Sequence, residues 1–165
     1  MTTLRSAINT LLNADDTLMA TATGGIHEQT EISRSNTPSA YDDRGDLKPC
    51  MVLRMGTMTP FGPFAYAERQ FFALWFYEKP GGYDNIDAMK YRVKTLLHSA
   101  EDDPKRVTIA PGVVHSIYHA DDFGDSWDDA LNCPMSYSRY YTVQMMGTMW
   151  TVGSSEVDGR DGIGG

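Results

Sequence analysis

Two histidines four residues apart, His115 and His119, are the first side chains in this sequence that could bind a metal. On a helix, an HxxxH pair places both imidazoles on one face, where they can share a zinc ion. The surrounding stretch VVHSIYH is rich in β-branched residues and indicates an extended strand instead. Four residues along a strand separate the α-carbons by about 13 Å, which is too far for one ion. The pattern therefore predicts no metal site at this pair.

A second candidate for chemistry is the carboxylate-rich stretch DDFGDSWDD at residues 121–129. Its oxygens suit calcium, but the stretch lacks the D-x-[DN]-x-[DN]-G-x₅-E spacing of an EF-hand loop. The sequence also lacks a phosphate-binding loop, a GxSxG elbow and an HExxH motif, and nothing sequential links Ser, His and Asp into a triad. We interpret 121–129 as a solvated acidic loop, and we expect neither a cofactor nor an enzymatic activity.

The cysteines and a group of aromatic residues are the remaining candidates for chemistry. Cys50 and Cys133 are too few for a disulfide scaffold or a thiolate zinc site, and neither belongs to a CxxC pair. We expect both to be core residues. An aromatic cleft formed by Trp75, Tyr77 and Trp150 is the strongest candidate for a ligand site. A small ligand-binding or enzymatic α+β domain therefore stays open as an alternative class of function.

Composition describes an ordinary globular chain of 165 residues, with 41% hydrophobic and 22% charged residues. We expect one domain over residues 1–152 and a flexible glycine-rich tail over 153–165. No apolar run approaches the ~20 residues that a membrane-spanning helix needs. The amino terminus has an amphipathic spacing and not the unbroken apolar stretch of a secretory signal. We therefore expect no export signal and no membrane partner.

The charge of the chain is unevenly distributed. The net charge is −8, and residues 99–132 carry eight acidic side chains against Lys105 and Arg106, a net charge of −6. Such acidity opposes binding to nucleic acid through a basic face, but it is compatible with a surface that repels nucleic acid.

The periodicity of apolar residues predicts the elements that must carry any site. Helical spacing covers residues 3–13 and 84–98, and extended patterns cover 50–55, 69–78 and 139–150. One or two further strands are expected in VTIAPGVVHSIYHADD, which starts at Val107. The order of elements predicts an α+β fold in which an antiparallel sheet carries both helices on one face.

The central strand RQFFALWFYEK raises the question of what covers the other face of the sheet. Phe71, Ala73, Trp75 and Tyr77 fall on one side of this strand, and Phe72, Leu74 and Phe76 fall on the other. Helices can cover only one of the two apolar faces. The second face is covered either by a segment of the same chain folding back or by another subunit, and the second reading is the one we favour.

The long loop over residues 27–46 has few large apolar side chains and many turn-forming residues. It is either a mobile loop or an arm that becomes ordered against a partner, and the sequence does not choose between them. The stretch GTMTPFGPFAYAE after residue 55 suits a wide turn or hairpin tip that exposes Phe61 and Phe64.

Four of these segments together resemble the tail terminator, or tail completion, proteins of long-tailed bacteriophages. The resemblance covers about residues 4–98 and departs from the family in the 27–46 insertion and the acidic carboxy-terminal part. The segments that carry it are LRSAINTLLNADDTLMA running into GGI, KPCMVLRM, RQFFALWFYEK and NIDAMKYRVKTLLH.

The resemblance implies a structural virion protein at the head-proximal end of the tail, assembled in the host cytoplasm. Proteins of that family cap the tail tube as a ring, generally of six copies, end its polymerisation and present a surface to the head. The implied partners are further copies of the chain, the tail tube protein and a neck or head-completion protein. DNA passes through the lumen without specific binding. A neck or head-to-tail joining protein is the alternative in the same setting.

Within such a ring, the sequence predicts two sets of functional residues. Apolar side chains on the second sheet face and the hairpin tip are expected at the subunit interface, and the densest acidic group is expected at the channel or the surface that meets the next ring. The interface set is Phe61, Phe64, Phe72, Phe76, Met146 and Trp150, and the acidic set is Asp121, Asp122, Asp125, Asp128 and Asp129.

Overall fold

The computed structural model describes residues 2–28, 31–63, 67–109 and 112–145. The expectations for Phe64, Met146, Trp150 and the tail at 153–165 lie outside these ranges. The helices of the described residues are Leu4–Asn13 (α1), Asp16–Thr21 (α2), Asp84–Leu97 (α3) and a 3₁₀ turn at Pro38–Ala40. The strands are Ile26–His27 (β1), Cys50–Pro60 (β2), Ala67–Tyr77 (β3), Val107–Thr108 (β4), Val113–Asp122 (β5), Ser126–Asp128 (β6) and Cys133–Met145 (β7).

Local hydrogen bonds explain where the first two helices begin. At α1, the Thr3 hydroxyl accepts from the Ser6 amide at 3.2 Å and the Ser6 hydroxyl accepts from the Thr3 amide at 3.0 Å, which forms a capping box. At α2, the Asp15 carboxylate accepts from the Leu18 amide at 2.7 Å. Arg92 of α3 donates to the same carboxylate from Nε at 2.9 Å and Nη2 at 2.6 Å. This bidentate pair ties α2 to α3 and holds the pKa of Asp15 below its ordinary value.

All strands of the described residues belong to one sheet with the order β1-β2-β3-β7-β5-β4, and β6 pairs with β7 beyond the end of β5. Every pairing is antiparallel except β1 with β2, where Ile26 lies opposite Met51 in parallel register. The α+β prediction is confirmed, but the sheet is mixed and not purely antiparallel. β1 was not predicted, because two residues are too few to show an alternating pattern.

The inner face of the sheet, defined as the face against the helices, carries the main core. Met51, Leu53, Leu74, Ile117 and Tyr140 are buried there. They pack with apolar side chains from all three α-helices, as the predicted stripes on 3–13 and 84–98 require. The helical side chains in this core are Leu4, Ile8, Leu12, Leu18, Ile86, Met89, Val93 and Leu97.

The outer face, on the opposite side of the sheet, is partly covered by the chain itself. Residues 31–47, which we call the flap, fold back so that Ile32, Ala40 and Leu47 contact buried side chains of β2 and β7. Apart from the 3₁₀ turn and a bridge between Tyr41 and Leu47, the flap has no regular structure. The loop that we expected to be mobile or to order on a partner therefore packs against the subunit's own sheet.

The hairpin formed by β2 and β3 is longer than predicted, because β2 continues from Met55 to Pro60 through an irregularity in the register between Met55 and Met58. Gly56 lies at this bulge, where an added Cβ would stand 3.2 Å from the Phe71 carbonyl oxygen. None of the described helices has the length and apolar character needed to cross a bilayer.

Candidate assembly surface

Four strands place the side chains of the outer face in rows that run across the sheet. One row contains Trp75 and Tyr137, whose ring centroids lie 4.5 Å apart, and Phe123 stacks on Tyr137 at 4.7 Å with an angle of 6° between the planes. A second aromatic row contains Phe71, Tyr141 and Tyr118 in register on β3, β7 and β5. A charged row lies between them and consists of Arg54, Ala73, Arg139 and Asp121.

The flap covers the end of the outer face that begins at Cys50, and we call this end the covered half. Cys50, Val52 and Cys133 are buried there together with the flap side chains. Burial raises the pKa of both thiols to about 12, and the nearby Asp128 carboxylate adds to the effect at Cys133. Thiols with such high pKa values are poor nucleophiles at neutral pH. The sequence-based assignment of both cysteines to a core is therefore confirmed.

The flap does not reach the rest of the outer face, which we call the open half, and Phe71, Tyr118 and Tyr141 there are partly exposed. Phe71 and Tyr141 lie 5.8 Å apart, and Tyr118 and Tyr141 lie 5.4 Å apart, measured between ring centroids. The Arg69 guanidinium lies over both rings of the Phe71–Tyr141 pair, at 5.3 and 5.7 Å from their centroids. An open groove of about 420 Å³ runs beside them between Arg54 and Arg139. The open half thus presents partly buried aromatic rings with cations at their margin.

An ion pair crosses the open half between neighbouring strands. Arg139 on β7 donates from Nε to Asp121 on β5 at 2.7 Å, and its Nη2 donates to the other carboxylate oxygen. The hydrogen bond from Arg139 lowers the pKa of Asp121 below its ordinary value, and the same bond raises the pKa of Arg139. Both side chains are about half exposed, so solvent weakens this pair in the isolated subunit.

The structure changes the predicted interface set. Phe72 is 2% exposed and Phe76 is 0% exposed, because both point to the inner face beneath the helices. The assignment of these two residues to a subunit interface was wrong, since alternation separates two faces without telling which one the helices cover. On the same strand, Phe71 and Ala73 belong to the outer face and are partly exposed. Phe61, near the hairpin tip, is 41% exposed, as expected.

The five predicted acidic residues lie together where β5, β6 and the turn into β7 meet, but their surroundings differ. Asp121 pairs with Arg139, and Asp122 accepts from His119 Nε2 at 2.9 Å. Asp128 accepts from the Leu131 amide at 2.8 Å. Asp125 and Asp129 are exposed and form no ion pair among the described residues.

A polar cluster that the sequence analysis missed lies at the edge of the inner face. Asp122 accepts hydrogen bonds from both His119 and Ser138. Partial burial alone would raise the pKa of Asp122, but the hydrogen bonds from Ser138 and His119 outweigh it and lower the pKa below its ordinary value. In this arrangement the carboxylate lies between the imidazole and the hydroxyl. A nucleophilic serine needs the imidazole in that middle position, so the cluster does not activate Ser138. His115 lies apart from it, and the described residues contain no metal-binding group of three ligands.

The predicted aromatic cleft is only partly present among the described residues. Tyr77 lines an open groove of about 470 Å³ between the flap and the β6–β7 turn, together with Arg34 and Asp128. Trp75 packs at the margin of the covered half, and Trp150 lies outside the described ranges. Burial raises the pKa of Tyr77 to about 12, which leaves its hydroxyl neutral.

Comparison with known proteins gives a likeness of fold. Neither the family models nor the curated proteins compared with this chain match it. A chain in the solved virion of a native gene transfer agent particle superposes with a TM-score of 0.61 at 11% sequence identity. The match covers 86% of this chain and 94% of that chain. At this identity the two chains share a fold, and the match does not extend to their activities.

Proposed function

We propose that this protein is a structural virion component that caps a phage tail tube as a closed ring of identical copies, most simply six. In this role the ring ends polymerisation of the tube and presents a surface to the head. The observation that carries the proposal is the shared fold with a virion chain over 86% of the present sequence. This likeness agrees with the resemblance to tail terminator proteins seen in residues 4–98.

The outer face of the sheet supports assembly into a larger structure. The covered half is closed by the flap, whereas Phe71, Tyr118 and Tyr141 in the open half lie outside the flap cluster and stay partly exposed, with the His98 ring at the edge of Tyr118. Aromatic and arginine side chains are enriched where protein surfaces meet, since they combine apolar area with hydrogen-bonding capacity. A neighbouring copy against the open half would bury this surface.

The proposed partners follow from the position in the tail. One surface of the ring meets the tail tube protein, and the opposite surface meets a neck or head-completion protein. The acidic group at residues 121–129 lies at the channel or at a surface shared with a neighbour. Carboxylates beside the path of DNA repel its phosphates, and a screening length of about 8 Å at physiological salt makes this repulsion effective only near the channel.

Two other functions would require a different position in the virion or a different site on the subunit. A neck or head-to-tail joining protein shares the virion setting but occupies a position beyond the tube end. A ligand-binding domain or an enzyme would use the groove of about 470 Å³ at Tyr77 and Asp128, and it could act as a monomer. The groove is open to solvent along the flap, and the hydroxyl of Ser138 lacks an imidazole that could activate it.

Electron microscopy of particles assembled with and without this chain tests the proposal. With the chain, we expect a ring of several copies at the head-proximal end of the tail and tubes of one length. Without it, we expect tubes of irregular length that do not join heads. Uniform tubes that fail only at attachment to the head would favour the neck function. Normal infectious particles in the absence of the chain would contradict both virion functions.

A further inference from the structure

Large exposed apolar side chains mark two corners of the sheet. Met58 and Phe61 lie near the tip of the β2–β3 hairpin and are 48% and 41% exposed, while Phe123 and Trp127 flank the start of β6 and are each 45% exposed. Isolated apolar residues are normal on a surface, but two pairs beside concentrated charge indicate contact surfaces. We call Arg5, Met58, Phe61 and Arg69 the hairpin corner, which extends around the hairpin from Arg5 and Met58 on the helix side of the sheet to Arg69 on the outer side. We call Phe123, Asp125, Trp127 and Asp129 the acidic corner.

The hairpin corner has two cations without a carboxylate partner. Arg69 contacts the rings of Phe71 and Tyr141, and Arg5 lines a cavity of about 560 Å³ together with Met58 and Glu68. Neither arginine forms an ion pair among the described residues. The Nε of Arg69 is buried and has no hydrogen-bond partner there. The corner therefore combines apolar area with a net positive charge, because its two arginines outnumber the single carboxylate of Glu68.

The acidic corner has the complementary composition. Asp125 and Asp129 are exposed and unpaired within the described residues, and they lie on either side of Trp127 in the sequence. Phe123 stacks on Tyr137 and is 45% exposed, and Lys90 Nζ donates to its carbonyl oxygen at 3.2 Å, so the corner keeps a net negative charge with two carboxylates against one cation. Opposite charges around apolar centres favour association of the two corners and disfavour association of either corner with itself.

Geometry prevents a subunit from joining its own two corners. Ala67, at the base of the hairpin tip, lies opposite Met145, whereas Trp127 lies opposite Pro134 at the other end of β7. Eleven residues of β7 separate these positions, a length of roughly 35 Å at about 3.3 Å per residue. The corners also lie on opposite edges of the sheet, since β2 and β6 flank the β3–β7 pair. A contact between different, distant surfaces repeats from head to tail and produces a ring when it closes.

We propose that the hairpin corner of one copy binds the acidic corner of the next copy around the ring. Phe61 packs against the exposed ring of Trp127, and Arg5 and Arg69 face Asp125 and Asp129. The inference rests on the ring proposed above and specifies which surfaces of neighbouring copies meet. It places Asp125 and Asp129 at this contact and not at the channel.

Cysteine cross-linking in assembled particles tests the contact. Phe61→Cys combined with Trp127→Cys should form disulfides between copies on oxidation, in a ladder that ends at the closed ring. A disulfide within one copy is impossible, because its α-carbons must lie within about 7 Å. The matched control combines Phe61→Cys with Tyr91→Cys, since Tyr91 on α3 is 76% exposed and belongs to neither corner. We expect about tenfold less cross-linking from the control.

Charge reversal gives a second readout that does not depend on cysteine chemistry. Asp125→Lys with Asp129→Lys should reduce incorporation of the chain into tails about tenfold, and adding Arg5→Glu with Arg69→Glu should restore it. The inference would be overturned if rings form on the tail but Phe61→Cys with Trp127→Cys cross-links no better than the control and the second charge reversal does not restore incorporation. That outcome would leave the proposed function intact. Absence of the chain from tails, with normal tubes, would overturn the proposed function itself.

Discussion

The two halves of the outer sheet face are built on the same strands and differ in what lies above them. In the covered half, Cys50, Val52 and Cys133 are apolar, small and buried beneath the flap. In the open half, the corresponding positions along β3 and β7 hold Phe71, Arg139 and Tyr141. The first composition suits a permanent core, and the second suits a surface that is wet in the free subunit and buried on assembly.

The second apolar face of a strand can be treated in two ways, and both occur in this sheet. The flap provides an intramolecular cover at one end of the sheet, and at the other end the aromatic side chains stay partly exposed. An apolar pattern on a strand indicates that each face is suited to burial, but it does not identify what covers that face. The side chains that keep a polar group, such as the hydroxyl of Tyr141 and the guanidinium of Arg139, indicate which part of the face contacts water in the isolated subunit.

The largest effect is expected from removing a side chain that fills the covered half. Leu47→Ala should lower the free energy of unfolding of the isolated subunit by about 2–4 kcal/mol, because the flap loses an apolar contact that is 8% exposed. Denaturation in urea measures this change. Phe71→Ala is the matched variant from the open half, and we expect a loss of about 1 kcal/mol or less for this partly exposed ring. Equal losses at both positions would remove the distinction between the halves.

The second prediction concerns incorporation into tails, for which we expect side chains of the open half to matter most. Phe71→Ala combined with Tyr141→Ala should weaken incorporation into tails about thirtyfold, which corresponds to roughly 2 kcal/mol at an aromatic contact. Competition between variant and unaltered chains for places in the particle measures this effect. Tyr91→Ala, at an exposed position on α3, should compete normally. Normal competition by the double variant would show that the open half is not buried in the assembled tail.

A smaller effect is expected from the ion pair across the open half. The folded pKa of Asp121 is lowered by Arg139, so the pair contributes stability above the unfolded value of 3.8 and loses it as the pH falls through the folded pKa. Arg139→Ala should therefore lower the stability of the subunit slightly at neutral pH and leave it unchanged at pH 2. Thermal unfolding at both pH values measures the difference. A difference in melting temperature between Arg139→Ala and the unaltered protein that persists at pH 2 would mean that Arg139 acts through packing instead of charge.

The smallest effect is expected at the thiols of the covered half. Burial raises the pKa of Cys50 to about 12, so neither it nor Cys133 should react with an alkylating reagent at pH 8 until the subunit unfolds. Ala73→Cys places a thiol on the partly exposed part of the same face and should react readily in the native subunit. Mass spectrometry of the alkylated chain distinguishes the sites. Labelling of Cys50 in the native state would mean that the flap opens.

The sequence by itself determined the local structure where a periodic pattern was long enough to read. The stripe in α3 and the alternation in β3 located both elements to within a few residues, because each repeats over about ten positions or more. The same reasoning placed His115 and His119 on a strand, and both lie in β5 as expected. Short elements such as β1 and β6 carried too few residues for any pattern to emerge.

Only the tertiary structure decided which face of each strand meets which neighbour. Alternation grouped Phe72 with Phe76 and Phe71 with Tyr77, but exchanging the two groups would leave the pattern unchanged. The choice depends on helices and a flap that are distant in sequence and pack where they bury the most apolar area. The neighbours of Asp121 and Asp122 were also set by strand register, which brings Arg139 and Ser138 beside them from across the sheet. Sequence spacing carries no record of such contacts, because they form only when the chain has folded.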